Sequence, residues 1–308
     1  MRVFVTGASG WIGSALTAEL LQAGHEVVGL ARSDRAAEAI TAAGATALPG
    51  SLEDLDVLRA GAIESDGVVH LGFVHDFSRY QESVDVDRAA IEAMGDVLVG
   101  TAHPFLIASG MAALARGPLA TEADPGDPDF PRAAAAAMTL ALADRGVRSG
   151  VVRLPPTVHG DGDAGFIATL VAVARERGMS AYVGSGTNCW SAVHRLDAAH
   201  LFHRALDEAP PGSVMHAVED EGVPTRTIAE VIGRHLDVPV TSIAPEDAAA
   251  HFGWIAMIFA HDMSASSAIT RRLLGWEPVG PGLLEDLDAG HYFDPARRPL
   301  VLPVGISH

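Results

Sequence analysis

The sequence is poor in cysteine, in basic side chains and in long apolar runs, and each shortage removes a class of protein. Cys189 is the only cysteine, so no disulfide forms within the chain, which fits a reducing cytoplasm. Against 39 acidic residues stand 21 basic ones, a net charge of −18. Such a surface repels polyanions and argues against nucleic acid as a partner. No apolar run approaches about 18 residues, so no membrane span is expected. A strand-like run already begins at residue 2, so no signal peptide is expected either. No internal repeat of about 20–50 residues is present. Apolar residues are abundant, at 48% of 308 against 19% charged. That is enough for a sizeable core in two domains, or in one domain with a lobe.

The N-terminus carries the strongest pattern. Arg2–Thr6 reads as a short strand, Gly7-Ala8-Ser9-Gly10-Trp11-Ile12-Gly13 as a glycine turn, and the apolar pattern onward to Ala23 as a helix. This arrangement aims backbone N–H groups and the positive end of a helix dipole at one point, which suits a pyrophosphate. Gly7 allows the sharp turn, Gly10 lets backbone approach a phosphate, and Gly13 lets the helix pack closely on the sheet. The second strand, Glu26–Leu30, ends in Ala31-Arg32-Ser33. A carboxylate there, about 20 residues on, would bind a ribose 2′-hydroxyl. None stands at 31–33, and Asp34 is placed to cap the next helix. Arg32 and Ser33 offer the cation and the hydroxyl that a 2′-phosphate needs, so the expected dinucleotide is NADP rather than NAD.

Helices at about 34–43, after Gly50–Asp54, at 84–101 and at 131–144 alternate with strands at 45–48, 67–71, 104–108 and 150–154. Pro131 in the first turn and Gly146 just past the end frame the last helix. Alternation of this kind means a parallel sheet covered on both faces. The expected fold class is α/β: a doubly wound Rossmann sheet over 1–155, with a return segment at about 190–217. Residues 156–293 are expected to form a smaller α/β C-terminal substrate lobe. It contains helices at 164–177 and 197–207 and from Thr225, with strands at 181–183, 214–217 and Val240–Ile243. Residues 294–308, with Pro295, Pro299 and Pro303, read as an extended arm. Ligands in such folds bind beyond the carboxyl ends of the strands.

Several segments occur in order along the chain: the glycine turn, a strand ending in His70-Leu71-Gly72, and a strand ending near Ser109. Then come Arg153-Leu154-Pro155-Pro156-Thr157-Val158-His159-Gly160 and Val193-His194-Arg195-Leu196-Asp197. Together they resemble the extended short-chain dehydrogenase/reductase superfamily over about residues 1–292, in particular its atypical, NAD-dependent epimerase/dehydratase-like branch. The resemblance implies a nicotinamide cofactor, a Rossmann domain and a homodimer built from the helices near 84–101 and 131–145. The expected cofactor contacts are Gly7, Ser9, Gly10, Trp11, Ile12, Gly13, Arg32, Ser33, Leu52, Leu71, Gly72, Arg132, Pro155, Thr157 and Val158.

The sequence departs from that superfamily where the chemistry should be. In the family a tyrosine, and a lysine four residues later, open the helix before strand six and move the proton. Those positions fall here on Pro128 and Arg132. Proline has no ionisable group, and arginine holds a ribose hydroxyl but does not exchange a proton near neutral pH. Hydride transfer to a carbonyl still needs a donor at the developing alkoxide. The catalytic candidates are Ser109 as an oxyanion donor, His75 as the acid and Arg132 as the fixed charge. His75, Tyr80, Met111, His159, Tyr182 and Trp190 are the expected substrate contacts, with core or wall roles foremost for Tyr182 and Trp190. His194, Asp197, His200 and His203 have metal-like composition, and His200 and His203 share a helical face. Their surroundings are apolar and Asp197 reads as a first-turn acid, so no metal is expected. The expected activity is NADP-dependent reduction of a small-molecule ketone or aldehyde, with a non-standard proton donor. Two alternatives stand beside it: a nucleotide-sugar epimerase or dehydratase, which the missing tyrosine disfavours, and a non-catalytic NADP-binding sensor, which it favours.

Overall fold

The computed structural model describes residues 1–74, 79–111, 119–127 and 130–294; His75, Pro128 and the arm beyond residue 294 lie outside this set. Its first half alternates as the sequence predicts. The order is β1 (Arg2–Thr6), α1 (Trp11–Gln22), β2 (Glu26–Ala31), α2 (Asp34–Ala42), β3 (Thr46–Pro49), α3 (Leu55–Ile63), β4 (Gly67–His70), α4 (Tyr80–Val97), β5 (Pro104–Gly110), α5 (Ala133–Ala141) and β6 (Arg148–Leu154). There follow β7 (Thr157–His159), α6 (Phe166–Arg177), β8 (Ser180–Val183), β9 (Cys189–His194), α7 (Arg195–Glu208), β10 (Ser213–His216), β11 (Asp220–Pro224), α8 (Thr225–Leu236) and β12 (Val240–Ile243), then short helices to Phe293. No helix among the described residues is long and apolar enough to cross a membrane.

The main sheet has the order β10-β6-β5-β4-β1-β2-β3, with every pairing parallel. This is the doubly wound order, with β10 added outside β6. Strand residues alternate between its faces, as the pleat requires. Val3 and Val5 of β1, Leu106 of β5 and Val152 of β6 bury with α1 and α7, while Phe4, Phe105, Ile107 and Val151 bury with α3, α4 and α5. Both faces are dry, which explains the nearly unbroken apolar runs in these strands. A second core gathers Trp190, Phe252, Phe259, Ile228 and Leu283 under α6, α8 and the short helices.

The main departures from the sequence reading are two helix starts and one sheet. Helix α4 starts four residues early, at Tyr80, because Arg79 caps it without a side-chain hydrogen bond and so leaves no N-cap signal. Helix α5 starts at Ala133, which places Arg132 at its N-cap; its last turn tightens into a 3-10 turn ended by Gly146 at φ 78°. The strands β7, β9 and β11 form a separate sheet of order β11-β9-β7 that the sequence did not announce. Of the return segment, α7 packs on the main sheet and β10 joins it, while β9 pairs in this smaller one.

Candidate active site

The glycine turn is built by steric exclusion. Gly7 sits at φ +69°, and a methyl there would lie 2.9 Å from the backbone of Leu71 and Gly72. A methyl on Gly13 would lie 2.0 Å from the Gly7 carbonyl oxygen, so the contact that demands glycine is with the turn itself. Gly10 donates to the Gly7 carbonyl (2.8 Å) and opens α1 with no side-chain cap and no acid in the first turn. The positive end of α1 is therefore left for an outside anion. The Trp11 indole N–H donates to the Val158 carbonyl (2.8 Å), and the Arg195 guanidinium lies 4.1 Å over its ring. This clasp ties the turn to β7 and α7, a role the sequence reading did not give Arg195. Leu52 meets Gly72 from the side of β3, where a methyl on Gly72 would come within 3.1 Å of its side chain.

At the end of β2, Ser33 rather than Asp34 caps α2, accepting from Ala36 N at 3.3 Å; Asp34 is the first helical residue. The Ser33 hydroxyl keeps its own proton to donate. Arg32 and Arg35 are both exposed and pair with nothing among the described residues. Two unengaged cations thus stand just beyond the end of β2. Thr157, 2% exposed, holds a hydroxyl with no partner among the described residues. That is an orphan a bound ligand can satisfy. Residues 7–13, Arg32, Ser33, Leu52, Leu71, Gly72 and 155–158 thus line one edge of the sheet, at the carboxyl ends of its strands.

A buried polar chain runs from this cradle to the candidate catalytic groups. The Thr6 hydroxyl oxygen accepts from Gly72 N (3.0 Å) and sits 2.7 Å from His70 Nδ1, while His70 Nε2 sits 3.1 Å from Asp87 Oδ1. A ring protonated on Nε2 satisfies both contacts, with the Thr6 O–H donating and the carboxylate accepting. The second Asp87 oxygen lies 3.7 Å from Arg132 Nε, and Arg132 Nη2 donates to the Ala108 carbonyl at 3.2 Å. The guanidinium lies 4.2 Å over the Phe73 ring. It is thereby fixed at the end of β5, where the next residue, Ser109, carries a half-buried hydroxyl with no partner among the described residues. The chain contains no lysine anywhere, so arginine is its only strong fixed cation. Thr6, His70 and Asp87 were missed as site residues. A histidine ending an apolar strand and an acid on the buried face of α4 were the available signals.

Tyr80 opens α4 half-buried, its ring 6.4 Å from Phe73, and burial pushes its phenol above the ordinary value. It is therefore protonated at neutral pH. Met111 is buried against Val218 and Ala265, with Ser191 Oγ 3.8 Å from its sulfur. Trp190 is fully buried between Phe166 and Phe259, a core position. Tyr182 lies on β8 with Arg226 5.6 Å over its ring. His159 is fully buried, its Nδ1 3.0 Å from Asp286. Asp163 accepts from Gly165 N (2.6 Å) and from the Tyr292 hydroxyl (3.0 Å), and burial pushes its carboxyl up to about 6. His75 lies outside the described residues.

The comparisons agree with this geometry. The sequence profile of the NAD dependent epimerase/dehydratase family matches residues 3–217. A protein of Schizosaccharomyces pombe described as uncharacterized is 49% identical over 295 residues, 95% of this chain and 100% of its own length. A 4-hydroxy-2-methyl-3-oxo-4-farnesyl-3,4-dihydroquinoline-1-oxide ketoreductase of Stigmatella aurantiaca is 27% identical, covering 84% of this chain and 82% of its own. The dTDP-glucose 4,6-dehydratase of Streptomyces venezuelae, solved with NAD bound, superposes with a TM-score of 0.72 at 20% identity, over 94% of this chain and 96% of that one.

Proposed function

Because the chain belongs to the NAD-dependent epimerase/dehydratase family of the extended short-chain dehydrogenase/reductase superfamily, we propose that it is an NADP-dependent oxidoreductase that reduces a small-molecule ketone or aldehyde. The observation that carries this reading is the guanidinium of Arg132, held at the end of β5 by Asp87 and by the carbonyl of Ala108, the residue before Ser109. The glycine turn, Arg32, Ser33 and Arg35 hold the pyrophosphate and the 2′-phosphate, and Thr157 meets the nicotinamide end. When bound, the cofactor supplies a hydride. Negative charge then grows on the substrate oxygen, where the Ser109 hydroxyl donates and the Arg132 charge stabilises. Arginine keeps its proton, so the proton comes from Tyr80 or from His75. The ketoreductase relative supports the reaction class. The reading includes a cytoplasmic homodimer built on α4 and α5, with residues 156–293 supplying the substrate wall.

Consumption of NADPH over a panel of ketones and aldehydes tests it. Ser109→Ala is expected to lower kcat about 100-fold while leaving NADPH affinity unchanged. Between Tyr80→Phe and His75→Ala, the one that removes the alkaline limb of the pH–rate profile identifies the donor. NADPH binding without turnover of any carbonyl overturns the reading in favour of a sensor; turnover of a nucleotide sugar with no net NADPH consumption overturns it in favour of an epimerase. Arg32→Asp is expected to weaken NADPH about 30-fold, the loss of one charge-assisted contact, and NADH far less. Equal losses refute the cofactor choice.

A further inference from the structure

Helices α1 and α7 run side by side from the glycine turn, and their far ends carry a set of side chains that the proposed reaction does not use. Glu19, on the third turn of α1, places a single carboxylate oxygen 2.7 Å from His200 Nδ1 and 2.9 Å from His203 Nδ1. Both histidines lie one helical turn apart on α7. The three ligand atoms lie within 4.8 Å of one another. On its other side His203 turns Nε2 towards Asp207, 3.4 Å from Oδ2. His25, from the turn before β2, stands edge-on to the His203 ring at 5.4 Å, and its own nitrogen joins His203 and Asp207 in a second group of the same tightness.

We propose that Glu19, His200 and His203 form a binding site for a divalent transition-metal ion of the zinc class, with Asp207 orienting His203 and one position open to water. Two imidazoles and one carboxylate suit zinc, cobalt or nickel rather than magnesium or calcium, which prefer all-oxygen sets. A histidine whose free ring nitrogen faces a carboxylate is the usual outer shell of such a ligand, since that contact fixes the tautomer and raises the basicity of the coordinating nitrogen. Bond lengths near 2.0–2.2 Å put tetrahedral ligand atoms roughly 3.3 Å apart, so the present hydrogen-bonded spacing needs to open by only about 0.5 Å. One carboxylate between two neutral rings leaves the ion's charge half compensated, and the surrounding net charge of −18 favours a cation. Glu19 lies eight residues beyond Trp11, about 12 Å along the helix, so this ion is structural: it clamps α7 onto α1 and takes no part in hydride transfer.

The test uses the full chain, freed of any histidine tag and stripped with EDTA, titrated with ZnCl2 by calorimetry and with CoCl2 by absorbance. One ion per chain is expected, with visible cobalt bands of four-coordinate intensity and a melting temperature that rises with added zinc. His200→Ala, at a half-exposed position where the fold tolerates truncation, is expected to weaken zinc at least 10-fold and to abolish the cobalt bands. Glu19→Gln, which keeps the shape and the hydrogen-bonding capacity, is expected to do the same. Asp207→Asn is expected to weaken zinc about 10-fold with the stoichiometry unchanged. MgCl2 is expected to give no heat. Absence of zinc binding at 100 µM overturns the proposal, as does zinc affinity equal to the parent chain's in His200→Ala and Glu19→Gln, which would place the ion elsewhere. NADPH affinity of His200→Ala is expected to equal that of the parent chain.

Discussion

The glycine turn and the region beyond β7 meet at Trp11, and they are held by different physics. At the turn every decisive contact is backbone on backbone: a positive φ at Gly7, and a Gly13 that faces the Gly7 carbonyl with no room for a methyl. Beyond β7 the decisive contacts are between buried titratable groups. His159 is closed off against Asp286, Asp163 is shared between Gly165 N and the Tyr292 hydroxyl, and His194 stacks edge-on to His159 with ring centres 5.6 Å apart. Burial pushes Asp163 up to about 6; burial, with Asp220 and Asp197 beside it, pushes Glu219 up to about 7. The first region is indifferent to pH and intolerant of any side chain. The second carries carboxyls whose burial makes a response to pH the expected behaviour. Anion-holding geometry is thus encoded in the absence of side chains, whereas the far wall is encoded in their ionisation.

The sharpest way to break this contrast is Gly13→Ala. Its methyl meets a carbonyl oxygen at 2.0 Å, with only backbone to yield. A loss of about 3 kcal/mol or more, or no folded protein at all, is expected in denaturant unfolding. Gly126→Ala is the control, because its methyl meets only the Ala133 side chain at 3.7 Å. Similar midpoints for the two variants would mean that the turn yields more readily than its geometry says.

The second region is probed by Asp163→Asn. A carboxyl raised above its ordinary value favours the folded state while protonated. Its contribution is fully present below about pH 4 and is lost as pH rises through about 6. Asparagine mimics the protonated form at every pH. Melting curves are therefore expected to show the variant gaining about 5 °C on the parent chain between pH 4 and pH 7. A gap that does not change with pH would remove the titration from the account, and the contrast with the glycine turn would go with it.

The same division explains what the sequence made legible. Glycine spacing and the six alternating strands are local patterns, and the structure places both where the pattern put them; the missing tyrosine falls on Pro128, outside the described residues. Thr6, His70 and Asp87 are scattered over 82 positions and meet only because β4 pairs with β1 and α4 packs behind them. Nothing local marks such a chain except polar residues at positions whose periodicity is apolar. Glu19 illustrates the same limit, since its two histidine partners lie 181 and 184 residues away. The β11-β9-β7 sheet was missed for a related reason: its strands run three to six residues, and β7 and β9 pair across an intervening helix and strand.

Arg195 joins the two regions, and its replacement gives the smallest expected effect. Its guanidinium lies over the Trp11 ring and donates to Ser14 Oγ at 3.1 Å, while its backbone opens α7 next to His194. A cation over an indole at a half-buried position contributes about 1 kcal/mol. Arg195→Ala is thus expected to lower the melting temperature by about 2 °C at every pH. Arg195→Lys is expected to recover only part of this, because an ammonium lacks the planar face that stacks on indole. If the loss instead grew with pH alongside that of Asp163, the Trp11 clasp would belong to the titrating wall, and the boundary between the regions would shift to the glycine turn itself.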